Sequence, residues 1–70
     1  MPQPIPDMLV LGALIRTRRK ALGLRQADVA AQSGVSVPTV GAIEAGKATA
    51  HVGLVLQICR DLGLRLSAED

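Results

Sequence analysis

The 70-residue chain has no Phe, Trp or Tyr and a single cysteine. Without aromatic rings there is no stacking platform for unpaired bases, which argues against a reader of single strands. The aromatic anchors that dominate protein–protein hot spots are missing too. Cys59 alone excludes an intramolecular disulfide and a cysteine-based zinc site within one chain. With no second His or Cys at ligand spacing from His51, no metal or other cofactor is expected. The longest apolar stretch, Met8 to Ile15, holds seven apolar residues around one glycine, well short of the about 20 that a membrane span needs. No basic segment precedes that stretch, so neither a secretory signal nor a membrane partner is expected, and the expected setting is the reducing cytoplasm. A chain this small has little room for an enclosed polar pocket, and no nucleophile–base or carboxylate pair stands out. An enzyme is not expected.

What is present is apolar and unevenly charged. Hydrophobic residues make up 49% of the chain and the mean hydropathy is +0.33, too high for intrinsic disorder. The length allows one domain with a radius of gyration of about 11 Å. Such a chain buries only about 60% of its unfolded surface, so a second subunit is expected to supply part of the core. The net charge is +2. Arg16, Arg18, Arg19, Lys20 and Arg25 place five cations in ten residues with no acid among them, whereas residues 36–70 carry an excess of one acid. A basic face on one part of a small domain suits a polyanion, nucleic acid ahead of membrane; a solvated helix face with one structural ion pair is the competing reading.

Pro2, Pro4 and Pro6 alternate through a proline-rich arm, residues 1–7, which is expected to be extended and flexible and which carries no cation. Glycines at 23, 34, 46 and 63 then cut the chain into segments of short-helix length with Gly just past the last turn. The first helix is expected over Asp7 to Leu22, with Asp7 as N-cap and Met8, Leu11, Leu14, Ile15 and Leu22 on its apolar stripe. The second spans Arg25 to Ser33. The third opens on the N-cap Ser36, with Val40 and Ile43 inward and Pro38 in the first turn, where its missing N–H costs nothing. The fourth runs from about His51 to Leu62, with Val52, Val55, Leu56, Cys59 and Leu62 on one stripe. Cys59 is expected to be a buried small hydrophobe, and His51 to cap that helix or sit exposed. Leu64-Arg65-Leu66-Ser67 alternates apolar and polar, a short strand candidate within a tail of residues 64–70, and a lone strand needs a partner.

Two short helices joined by Gly34-Val35-Ser36 have the layout of a helix-turn-helix, in which the glycine turns the chain sharply and Val35 plugs the corner. In that layout the third helix lies in the DNA major groove while the second crosses above it, N-terminus toward a phosphate. The residues Leu11-Gly12, Ile15-Arg16, Arg19, Gly23-Leu24, Gln26, Ala30, Gly34-Val35-Ser36, Thr39-Val40 and Ile43-Glu44-Ala45-Gly46-Lys47 closely resemble the Xre/Cro-repressor family of helix-turn-helix proteins. The ending Leu62-Gly63-Leu64-Arg65-Leu66 resembles the HipB-like antitoxin branch, where a C-terminal strand joins the dimer. The resemblance covers about residues 9–66. It implies an all-α, lambda-repressor-like domain of four to five short helices over residues 8–63, a possible C-terminal strand at a homodimer interface, and double-stranded DNA as partner. It also implies a repressor, one acting on its own operon, with a cognate toxin as a possible second partner.

By the same resemblance Gln26 touches a phosphate and braces the recognition helix, Ser36 and Thr39 donate to phosphate or a base edge, and Lys47 contacts the backbone. Arg19 and Glu44 match a structural ion pair. Arg25 replaces the family's usual Thr or Ser N-cap, an exchange expected to lose about 1 kcal/mol of capping while adding a cation near the DNA. Arg16, Arg18 and Lys20 are candidate phosphate neighbours. The positions that usually read bases hold Val37, Pro38, Gly41 and Ala42, none with a hydrogen-bonding side chain. Val37 or Ala42 can meet a thymine methyl, but bidentate readout of guanine or adenine is excluded there. Gly41 weakens the third helix by about 1 kcal/mol relative to alanine. Two outcomes stay open: specificity through shape, phosphate register and half-site spacing, or weak DNA binding by a module that acts mainly through a protein partner.

Overall fold

A computed structural model describes residues 3–68. Pro2 of the arm and Glu69 and Asp70 of the tail lie outside the described residues. Four helices follow in order: α1 (Met8–Ala21), α2 (Gln26–Ser33), α3 (Val37–Glu44) and α4 (Val52–Asp61). Among the described residues there is no strand.

Each helix starts and stops for local reasons. Asp7 is the N-cap of α1, its Oδ1 accepting from the Val10 N–H at 3.0 Å. Ser36 caps α3 by accepting from the Thr39 N–H, and Pro38 sits in the first turn, where no helical N–H is required. All four helices end alike: the N–H of Leu24, Val35, Lys47 and Leu64 bonds back to the carbonyl five residues earlier, on Arg19, Ala30, Ala42 and Cys59. This closure satisfies carbonyls that the helix leaves open and needs a left-handed residue at the turn. Gly34 supplies it between α2 and α3, at φ 71, a conformation that costs a side chain roughly 1–2 kcal/mol.

α3 packs against both α1 and α2, and α2 against α4. The buried core is Ile15 from α1, Val29 and Ala30 from α2, Val40 and Ile43 from α3, and Val55, Ile58, Cys59 and Leu62 from α4 and its cap. Met8, Leu11, Leu24, Val35, Leu54 and Leu64 close its edges. Gly12 is where α1 and α3 touch: a Cβ there would clash with the Ile43 carbonyl oxygen and lie 2.8 Å from that of Glu44. Cys59 is buried, and burial pushes its thiol above the ordinary value.

The expected stripes need three corrections. On α4, Val52 is 69% exposed and Leu56 38%, while Ile58 is fully buried; the inward face is therefore turned toward Val55, Ile58 and Cys59. Leu22 is 45% exposed, because the chain has already left the helix at that residue and serves as its C-cap. The alternating segment Leu64–Ser67 forms no strand in the single chain, having no ladder partner there.

Candidate nucleic-acid interface

The α2–turn–α3 unit is fixed from behind by one polar cluster. Arg19 donates from Nε to Glu44 Oε2 at 2.6 Å and from Nη2 to Oε1 at 3.0 Å, a two-pronged ion pair with both side chains buried. Its Nη1 donates to the Leu24 carbonyl at 2.8 Å, tying the α1–α2 connection to the same guanidinium. Gln26 Nε2 donates to Glu44 Oε1 at 3.1 Å. Burial alone would push the Glu44 carboxyl up; the hydrogen bonds from Arg19 and Gln26 outweigh it and hold the group below its ordinary value. Three helices thus meet at one carboxylate at the end of α3, and the buried charge is matched by a charged, geometrically complementary partner.

Arg25 occupies the N-cap position of α2, and arginine has no acceptor with which to cap. The expected loss is offset by Asp28, whose Oδ2 accepts the Arg25 backbone N–H at 2.7 Å. Asp28 also takes the Arg25 guanidinium at 3.2 Å in an exposed pair, and those hydrogen bonds hold its carboxyl below the ordinary value. Asp28 is passed over in the sequence reading, although an acid three residues after the cap is one half of a capping box, the half that an arginine cap leaves possible.

At the front of α3, Ser36 Oγ and Thr39 Oγ1 share a hydrogen bond of 2.8 Å. Val37 is 42% exposed, Pro38 is exposed, and Thr39 and Ala42 are half-buried. Pro38, Thr39, Ala42 and the exposed Lys47 line a groove of about 310 Å³ together with Thr49 and His51 of the α3–α4 connection. Thr49 was not anticipated; no periodic signal marks a loop residue of this kind. His51 stands at the N-cap of α4 and is exposed, without a side-chain capping bond. Arg25, Ser36 and Val37 lie outside this groove. Gln26 lines a second, smaller cleft with Arg16, Gly41 and Ala45 beside the Arg19–Glu44 pair. Arg18 is spent on the scaffold, its Nε donating to the Leu62 carbonyl at 2.8 Å.

The arrangement is a two-helix unit with a rigid back, an uncharged apolar tip at Val37–Pro38, and cations at Arg25 and Lys47 on either side of α3 in sequence. Such a surface can set phosphates by charge and meet base edges by shape and methyl contact.

A family model described as a helix-turn-helix domain matches residues 10–69. The chain belongs to this helix-turn-helix family. An uncharacterised HTH-type transcriptional regulator of Sinorhizobium fredii, y4mF, is 45% identical over 53 residues, which is 76% of this chain and 70% of that protein. Among solved structures, the fold matches a HipB variant in complex with an O2 20mer, with a TM-score of 0.88 and 21% identity over 100% of this chain and 97% of that one. A chain of the HipA–HipB–O2–O3 complex matches with a TM-score of 0.88 and 20% identity over 99% and 97%. At that identity the likeness is one of fold, and it extends over the described helices from end to end.

Proposed function

We propose that this protein is a DNA-binding transcriptional regulator that lays α3 in the major groove and represses transcription, its own operon being the first candidate target. One observation carries the reading: the buried Arg19–Glu44 pair, joined by the half-buried Gln26, ties the end of α3 to α1 and α2 while Val37 and Pro38 stay exposed. In this reading Arg25, Gln26, Ser36, Thr39 and Lys47 set the phosphate register, and Val37, Pro38 and Ala42 meet the floor of the groove. Gln26 braces α3 through its amide bond to Glu44, and in this reading its other amide hydrogen is offered to a phosphate.

The regulator acts as a homodimer. Leu56 and Leu66 are 38% and 39% exposed around a groove of about 230 Å³ formed with Cys59, Arg60 and Leu64, which suits the tail of a second copy completing the strand that Leu64–Ser67 cannot form alone. A twofold pair would place two recognition helices on half-sites about one helical turn apart. The relative found with HipA makes a cognate toxin the natural second partner, so the repressor would also be an antitoxin. The reading assigns the chain no catalytic role and places it in the cytoplasm with the nucleoid.

A protein-bridging module is the alternative, favoured by the absence of any hydrogen-bonding side chain at Val37, Pro38, Gly41 and Ala42. Substitutions separate the two. In the DNA reading, Arg25→Ala and Gln26→Ala weaken binding to all duplexes, and the arginine change lowers the slope of affinity against salt by about one. Val37→Ala and Ala42→Gly instead change the preference among sequences. The reverse pattern in a duplex-binding titration would displace α3 from the groove.

A further inference from the structure

The polar side chains of α3 are already engaged. Of its eight residues only Thr39 and Glu44 carry one. Glu44 is buried and takes its bonds from Arg19 and Gln26. Thr39 Oγ1 lies 2.8 Å from Ser36 Oγ, and the same Ser36 oxygen accepts the Thr39 N–H. The two hydroxyls at the front of the helix are therefore spent largely on each other and on the cap. What α3 turns outward is hydrocarbon: the exposed Val37 and Pro38 of its first turn and, four residues after Pro38 on the same face, the half-buried Ala42. Gly41 beside it adds no side chain.

Such a surface can use little of what the major groove displays. The four base pairs differ there in donors and acceptors, which only hydrogen-bonding side chains can tell apart. The one apolar feature in that groove is the methyl group on C5 of thymine, and contact with it takes hydrocarbon of both partners out of water. Cytosine carries only a hydrogen at C5. Methylation of that carbon sets a methyl group at the same place in the groove and leaves the N4 donor of the base unchanged. A hydrogen-bonding residue would separate thymine from 5-methylcytosine by the O4 acceptor of one against the N4 donor of the other. Val37 and Ala42 have no atom with which to make that distinction.

We propose that α3 accepts 5-methylcytosine in place of thymine, because its hydrocarbon face reads the methyl group at pyrimidine C5 and not the rest of the base, so that cytosine methylation of the DNA creates or strengthens binding sites. Val37 and Ala42 make the contact. The inference rests on the DNA-binding reading and goes beyond it, naming a modified base as ligand and the methylation state of the target as a control on the regulator.

The test changes the DNA and leaves the protein as it is. Anisotropy of a labelled duplex from this gene's own upstream region is measured with uracil replacing one thymine at a time, which removes the methyl group and keeps every donor and acceptor. Uracil at a contacted thymine is expected to weaken binding about fourfold. At the same position a C·G pair should weaken it about fivefold or more, and 5-methylcytosine paired with G should restore affinity to within about twofold of the native duplex. Val37→Ala, a change at an exposed position whose folding circular dichroism checks, should shrink the uracil loss and the 5-methylcytosine recovery together. Specific binding that is indifferent to uracil at every thymine, or 5-methylcytosine that binds no better than cytosine, overturns the inference and leaves the DNA-binding reading standing. Effects of both bases that persist undiminished in folded Val37→Ala overturn it too, since they would then belong to the shape of the duplex. A folded parent protein that binds no duplex defeats the DNA-binding reading first and this inference with it.

Discussion

Glu44 is the polar residue on which the most structure converges. It takes two bonds from Arg19 and one from Gln26, so its loss would uncouple α1, α2 and α3 together. Arg19→Ala leaves the carboxylate buried without its charge partner and is expected to cost about 3–5 kcal/mol, a large part of the stability of so small a domain, read as a collapse of the melting temperature. Acid should do the same gradually. The hydrogen bonds hold the Glu44 carboxyl below its ordinary value of 4.5, so the stabilisation is complete above that pH and is lost as pH falls through the lowered value of the folded state. Melting curves taken from pH 6 downward should show the parent losing stability below pH 4.5 with a steeper slope than Glu44→Gln. Equal slopes would mean that Glu44 is not held low. The pair itself was legible from the matching positions of Arg19 and Glu44. Its third member, the bond from Gln26, followed only from the family's bracing glutamine, since spacing in sequence says nothing of two residues 18 apart meeting at one oxygen.

At the scale of the element, helix limits were read well wherever a chemical stop was present. Asp7, Ser36 and the four terminal glycines mark their helices because capping oxygen and left-handed backbone are properties of single residues. The start of α2 was legible as a position but not as chemistry: Arg25 looked like a lost cap, and Asp28 restores part of it from three residues ahead. Asp28→Ala should accordingly destabilise the protein, where Arg25→Ala, which leaves the backbone N–H to Asp28, should cost much less; comparable losses in urea titrations would contradict this account. On α4, Val55, Cys59 and Leu62 face inward as the stripe predicts, but Val52, Leu56 and Ile58 are equally apolar in sequence, and only packing against the other helices buries Ile58 rather than the other two. Gly12 marks the closest approach of α1 to α3, and Gly12→Ala should cost about 1–3 kcal/mol by forcing the two apart.

For the whole molecule, a radius of gyration of 11.3 Å agrees with a single compact chain of this length. Yet Leu9, Val52, Leu56 and Leu66 remain open to solvent, and the tail has no strand to join. In the dimer proposed above, a second copy would cover these features. Deleting residues 64–70 should shift a dimer toward monomer in sedimentation; an unchanged dimer would remove the tail from the interface. The alternation at Leu64–Ser67 suggests a strand, and the single chain forms none there, since a ladder needs a second strand to pair with.

The central claim is that α3 reads a duplex, and the most direct test is the anisotropy of labelled DNA from this gene's upstream region against a scrambled duplex, at low and at physiological salt. The label belongs on the DNA, because a chain with no Trp or Tyr has almost no emission of its own. The account predicts binding that survives physiological salt and favours the native sequence by about 10³ or more. Weak binding to both duplexes that vanishes as salt rises would contradict it and would make the exposed tip of α3 a surface for another protein.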